Sequence, residues 1–433
     1  MKIMLVEEHP ERERIALEIL GSLLTSRGHE VLLSHTFAIE SDYRRFLPDL
    51  VVDNVSDSLG HYMGKLSMLT KRQRNINLVW EQMFNPLSLF RFRLDDEVAS
   101  RLVDGRIAWG DAGRRILQME NPKIDHTRLR ACGSIKHAVH DFYAGLEPQA
   151  LMNLYPFPFH QFERRVLLID SFPAAHWDLD ALREMRGDLP LCYGFEACQY
   201  ISDLKNKVLS FYEYIAAKHP KWLFILRLHP TKVVGYEREF ASFAAMPNVV
   251  VNWEGSIDPL IRLADLVIAA RSGALVDAYF ANVPGLNLAL DRHATRAAGI
   301  TLTAEERFAQ TLPLDDGWVQ SLEPFLEPAS LPERDAWAND WFSSRGIRTF
   351  HSVIAFLEEI AERPALPKQP SIRSLLDARV VNRLTRHRLR LLGLKRRRGS
   401  VRIDSFDYSA LRDLLLEEVK DCKDSDTHGL PAH

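Results

Sequence analysis

Cysteine is scarce: four residues in 433, Cys132, Cys192, Cys198 and Cys422, with no CxxC pair among them. A four-thiolate zinc site at the usual spacing is thereby excluded, as is a disulfide-stapled scaffold, and a reducing, cytoplasmic setting is expected. Long apolar runs are missing too. No stretch reaches 18 consecutive hydrophobic residues, and the first run, Ile3 to Val6, is cut off at once by Glu7 and Glu8, so neither a membrane span nor a signal peptide is expected. The chain also lacks HExxH, GxSxG, GxGxxG and a P-loop, which removes support for metalloprotease, hydrolase, dehydrogenase and ATPase readings. No internal repeat of roughly 20–50 residues occurs, which excludes solenoids and propellers.

What is present describes a globular chain. Hydrophobic residues at 46% and charged ones at 26% supply apolar material for two cores, and 433 residues exceed one ordinary domain, so two lobes are expected. The formal net charge of −3 hides a segregation: residues 373–402 hold ten Arg and one Lys against Asp377, a local +10, which leaves −13 for the rest.

Short, mostly continuous apolar runs recur along the chain, the pattern of parallel strands covered on both faces. In the first half they are KIMLV, EVLLSH, DLVVDN (49–54), INLVWE (76–81), RIAWG (106–110) and LRACGS (129–134). The first two flank a helix from Arg12 to Ser26 that Gly28 ends, which makes a β-α-β unit. Residues 144–164, with three prolines among aromatics, break the rhythm. A second series then runs through VLLID (166–170), a helix over 198–218, WLFILRLHP (222–230), NVVVNW (248–253), a short helix near Asp258, DLVIAA (265–270), a helix starting at Ser272, and GLNLAL (285–290). The expected fold is therefore α/β, with a Rossmann-like first lobe over 1–150, a second over 165–362 that ends on a helix from Arg348 to Ile360, and a basic helical tail over 371–433.

Ligands of doubly wound sheets sit beyond the carboxyl ends of the strands, so residues just after each apolar run are the candidates. Arg227, His229 and Pro230 follow one run; Glu254 follows another; Arg271, Ser272 and Gly273 follow a third, with Asp277 about a turn into the next helix. A nucleotide would use all of these: Ser272 and Gly273 open a helix where backbone N–H groups meet an anion, Arg227 and His229 donate to the same charge, and Asp277 accepts from ribose hydroxyls. Read alone, Ser-Gly before a helix is an N-cap and His-Pro a turn. The combination at consecutive strand ends is what points to a site.

The R-x-H-P strand end, with ADLVIAARSGALVDAYFANVPGLNL after it, resembles the C-terminal lobe of bacterial surface-polysaccharide glycosyltransferases of the GT-B fold. The similarity is to capsule-type Kdo transferases and surface carbohydrate biosynthesis proteins, and more distantly to CDP-glycerol glycerophosphotransferases. NLVWEQ, IAWGDAGRRIL and Gly133-Ser134-Ile135-Lys136-His137 stand where such proteins have an acidic strand end, a WG strand and a G-S/N-P-x-x-D segment, here with Ile for Pro and His for Asp. The resemblance implies two lobes facing a cleft, and donor-nucleotide contacts at His229, Pro230, Ser272, Gly273 and Asp277, the last in place of the commoner Glu. It also implies transfer of a sugar, with CMP-Kdo or a related CMP-ulosonic acid as donor, to a glycan or lipid-linked glycan. A CDP-polyol phosphotransferase and a catalytically inactive GT-B-like assembly protein are the alternatives.

Glycosyl transfer needs stabilisation of the leaving phosphate and either a base for the acceptor or a carboxylate nucleophile. Asp170 and Asp178, just past the first strand of the second lobe, are nucleophile candidates; Glu81 and Glu8, at strand ends of the first lobe, are base candidates. No DxD stands at a strand end, so neither a metal nor a cofactor is expected. In the tail Leu376, Val380, Leu384, Leu391 and Leu394 form one stripe flanked by arginines, a pattern for an anionic membrane surface rather than nucleic acid, given the absence of interleaved aromatics. A cytoplasmic enzyme, peripheral at the inner face of the plasma membrane, is expected, with a tail whose removal spares both lobes.

Overall fold

The computed structural model of the chain describes residues 1–7, 10–35, 38–53, 74–78, 103–172, 195–229, 240–270, 272–289, 305–314, 321–327, 332–364 and 407–426. The first lobe is built from β1 (Lys2–Glu7), α1 (Pro10–Ser26), β2 (Glu30–His35), α2 (Ile39–Phe46), β3 (Leu50–Asp53), β4 (Arg74–Leu78), β5 (Gly105–Ala108), α3 (Asp111–Glu120), β6 (Leu129–Ala131) and α4 (Ile135–Gly145). Its sheet has the order β2-β1-β3-β4-β5-β6 with every pairing parallel. The continuous apolar runs are explained by this: β3 and β5 are buried at every position. On α1, Ile15, Ile19, Leu20, Leu23 and Leu24 lie along one face and are buried, each contributing roughly 1.5–3 kcal/mol of apolar transfer as an upper estimate. The helix stops at Gly28, whose φ of +85° is the left-handed conformation that glycine adopts without strain.

A short helix, α5 (Pro148–Met152), leads to the second lobe, made of β7 (Arg164–Ile169), α6 (Phe195–Lys218), β8 (Trp222–Arg227), α7 (Ala241–Ala244), β9 (Val249–Asn252), α8 (Asp258–Leu263), β10 (Leu266–Ala269), α9 (Ala274–Phe280), β11 (Gly285–Ala289) and β12 (Gln310–Pro313). The sheet is again parallel throughout, in the order β9-β8-β7-β10-β11-β12. Strand order reverses between β7 and β10, which opens the crevice where doubly wound folds take nucleotides. The two doubly wound lobes are as expected.

The ends of the chain differ from the sequence reading. Helices α10 (Pro332–Trp341) and α11 (Gly346–Glu362) follow the second sheet in sequence but pack on the first lobe, α10 on α3 and α11 on α4, α1 and β4. Residue 362 is thus a boundary in sequence only. The reason is packing: Phe350, Val353, Ile354, Phe356, Leu357 and Ile360 make an apolar face too wide for a surface helix, and it completes the first lobe's core. The basic stretch 373–402 lies outside the described residues. Beyond it α12 (Tyr408–Asp426) packs against α1 and α4 and buries Tyr408, Leu411, Leu415 and Val419. Removing everything after Pro370 therefore bares first-lobe core, and the expectation that the lobes are indifferent to it is corrected. No described helix is long and apolar enough to cross a membrane.

Candidate nucleotide site and the contact between lobes

Asp170 follows β7 directly, at the point of strand reversal, and is 2% exposed. Its backbone N–H donates to the Arg227 carbonyl at 2.9 Å and its Oδ1 accepts from Phe172 N–H at 3.3 Å, so the loop past β7 is tied to the end of β8. Beneath it the buried Tyr212 hydroxyl lies 3.1 Å from the Ile169 carbonyl and 3.2 Å from that of Ile268, bridging the two strands that flank the crevice. Burial, then the neighbouring Asp170 charge, pushes the Tyr212 phenol far above its ordinary range, so it stays protonated.

Across the crevice, Ser272 Oγ accepts from Ala274 N–H at 3.3 Å as α9 begins. A Cβ added at Gly273 would meet nothing within 4 Å, so packing within the protein does not demand glycine there and the space above it is open. His229, partly exposed, follows β8. Arg227, also at the β8 end, is buried and turned to the next loop: its guanidinium donates to Asn252 Oδ1 and the Glu254 carbonyl, each at 2.5 Å, and to the Gly255 carbonyl. The structure thus gives Arg227 the task of holding the Glu254–Gly255 turn, where Gly255 has φ +76°. Beside that turn is a cavity of about 480 Å³ lined by Tyr155, Phe157, Asn252, Trp253, Glu254 and Asp407 among others. Asp178, Glu81, Glu8, Pro230 and Arg271 lie outside the described residues.

Asp277 is 2% exposed, and its carboxylate is turned to the first lobe. Lys136 Nζ is 2.9 Å from Oδ2, and His137 Nε2 is 3.3 Å and His140 Nε2 3.6 Å from Oδ1, all three on α4. Burial alone would raise this carboxyl, but the Lys136 ammonium beside it is the main pull that outweighs burial and holds its pKa below the usual carboxylate range. Asp258, at the first turn of α8, is 3.7 Å from His140 Nε2; burial pushes its pKa up, against the pull of His140. Burial also drives His137 well below its ordinary value, so its imidazole is neutral, with Nδ1 2.7 Å from Ser134 Oγ. Trp109, Phe280 and Phe342 surround that ring.

Sequence reasoning singled out Asp277 but missed Lys136, His140 and Asp258 as its company. The one signal available was the spacing of His137 and His140, three apart and so on one helix face. The WG and GS motifs gain a packing reason here. A Cβ on Gly110 would stand 2.4 Å from the Trp341 backbone, and Gly133, at φ +93°, lies against Ser344 and Thr349. Both let the returning α10–α11 segment approach.

No protein-family model matches the chain, and no curated protein matches it in sequence. Among solved structures it is similar to the wall teichoic acid polymerase TagF, in its H444N variant, with a TM-score of 0.51 and 12% identity over 84% of this chain and 89% of that one. The UDP-GlcNAc 2-epimerase of Methanocaldococcus jannaschii, in complex with UDP-GlcNAc and UDP, is matched with a TM-score of 0.47 and 13% identity over 89% of this chain and 100% of that one. At such identity the likeness to the polymerase is one of architecture, and together with the two parallel six-stranded sheets it establishes that the chain has the two-lobed α/β arrangement of the GT-B fold.

Proposed function

We propose that this protein is a glycosyltransferase of surface-polysaccharide or lipid-linked glycan synthesis that takes its sugar from a nucleotide donor. The observation that carries the reading is the crevice between β7 and β10, flanked by Asp170 on one side and by Ser272 and the open space over Gly273 on the other. In this strand order ligands bind in the crevice beyond the carboxyl ends of the strands, at the point of reversal, with phosphates at the helix N-terminus. In this reading the base takes the cavity beside Asn252, Trp253 and Glu254, and His229, at the end of β8, is the donor to the leaving phosphate. Arg227 acts as a positioning residue by bracing the Glu254 turn, and Asp277 by holding α9 to α4. The finer reading, a CMP-linked ulosonic acid as donor with Asp170 or Asp178 as nucleophile, rests on the resemblance of the sequence motifs.

The test is a thermal-shift panel of CMP, CDP, UDP and GDP on the full chain. A nucleotide at 100 times its dissociation constant adds about 2.7 kcal/mol of stability. The response is expected for a cytidine nucleotide and should weaken in His229→Ala by roughly 1–3 kcal/mol of binding free energy, the cost of a lost charged hydrogen bond. Asp170→Asn should keep nucleotide binding and lose turnover if that carboxylate forms the glycosyl ester. Indifference to all four nucleotides at millimolar concentration would sink the reading, and a response to CDP with polyol-phosphate transfer would select the alternative enzyme.

A further inference from the structure

A closed group of ligand-type atoms lies between the lobes, and of its three residues the reading above uses Asp277 alone, to hold α9 to α4. His140 comes from α4 of the first lobe, Asp258 and Asp277 from α8 and α9 of the second, and their side chains are 0%, 5% and 2% exposed. His140 Nε2 stands 3.7 Å from Asp258 Oδ1 and 3.6 Å from Asp277 Oδ1, too far for hydrogen bonds. All three atoms are buried and make no hydrogen bond, with His137 Nε2 3.3 Å from Asp277 Oδ1 the nearest other ring nitrogen, and all lie within 4.8 Å of one another. Leaving such atoms unsatisfied is costly, and native interiors do so rarely.

The geometry suits an ion. Nitrogen and oxygen ligands bound at about 2.0–2.2 Å around one tetrahedral centre stand roughly 3.3–3.6 Å apart, close to the two separations from His140. The outer oxygens are already held: Asp258 Oδ2 accepts from Ser256 Oγ–H at 2.8 Å, and Asp277 Oδ2 takes Lys136 Nζ at 2.9 Å. These contacts aim both Oδ1 atoms at the gap, the part that outer partners play around metal ligands. Charge points the same way. Asp258 and Asp277 bring two acidic side chains to this closed interface, and Lys136 is the one lysine or arginine within 4 Å of either carboxylate among the described residues.

We propose that His140 Nε2, Asp258 Oδ1 and Asp277 Oδ1 form a site for one divalent transition-metal ion, of the zinc, cobalt or manganese kind that mixed imidazole and carboxylate ligands favour, and that the ion bridges the two lobes. Its role is to fasten α4 to α8 and α9, and the inference does not rest on the glycosyltransferase reading.

The experiment uses the full, untagged chain, stripped with chelator and dialysed against Zn²⁺ or Co²⁺, with no nucleotide present. The expected result is about one ion per chain by elemental analysis, a visible ligand-field band for Co²⁺, and a rise in Tm that chelator reverses. His140→Gln and Asp258→Asn should each lose the ion, the band and the Tm response. Where a variant fails to fold, stoichiometry and the Co²⁺ band of the intact chain decide. An intact chain that takes up no metal and whose Tm ignores both metal and chelator overturns the proposal. Stoichiometric uptake that persists in both variants overturns it equally, by placing the ion elsewhere.

Discussion

At the scale of single residues, the Asp277–Lys136 contact sets the sharpest expectations. In the chelator-treated chain Asp277→Asn leaves the Lys136 ammonium, 14% exposed, without its countercharge, and about 3 kcal/mol of stability should be lost in urea unfolding. Because an apolar pair of similar volume removes the desolvation cost along with the attraction, Lys136→Met with Asp277→Leu should recover most of that loss; a double variant as unstable as Asp277→Asn would argue against the ion pair as the cause. The pH sign follows from the depressed carboxyl. The stability it contributes is fully present above the unfolded value of about 4 and is lost as pH falls through the lower folded value, so the wild type should lose stability below pH ~4 more steeply than Asp277→Asn. Cys132 is buried, which pushes its thiol up to about 12 and makes it a poor nucleophile. Peptide mapping after iodoacetamide at pH ~8 should find it unlabelled until denaturant is added. Asp277 was legible in the sequence as a carboxylate one turn past a strand end. Which lobe its side chain meets was not, since Lys136 is 141 positions away and only tertiary packing joins them.

At the scale of elements, the parallel strands were read to within a few residues, because burial on both faces writes a continuous apolar run that polar turns interrupt. Among the elements that escaped, two carry a weak pattern for physical reasons. β12 sits at the sheet edge with alternate residues exposed and a proline at its end, and α10 is a short helix rich in charged residues, with an apolar face of only Trp337, Ala338 and Trp341. The returns of α11 and α12 to the first lobe were illegible for a different reason. Their apolar faces announce burial but not a partner. For α12 this yields a stability test: Leu411→Ala and Leu415→Ala, both fully buried, should each cost roughly 2–5 kcal/mol, and the intact chain should melt lower in either variant. Unchanged unfolding midpoints would show that α12 is not part of the first lobe's core in solution.

At the scale of the whole molecule, two charge populations share one chain, +10 within residues 373–402 and −13 elsewhere. Binding to anionic vesicles through that stretch should amount to roughly 1 kcal/mol per basic residue near the surface and should fade as salt screens it. Since α12 follows and is needed for packing, substitution is the appropriate perturbation: Arg396, Arg397 and Arg398 changed to Gln should lower vesicle sedimentation at low salt and leave the melting temperature where it was. Sedimentation that ignores both salt and substitution would end the membrane reading. The return of α12 to the first lobe also bears on how the chain is made. The surface of α1 and α4 is translated early, while the residues that cover it, Tyr408 to Val419, come more than 260 positions after Tyr143. At ordinary synthesis rates that is an interval of roughly 15–50 s in which a nascent first lobe shows an open apolar flank to the ribosome and to whatever chaperone stands at its exit.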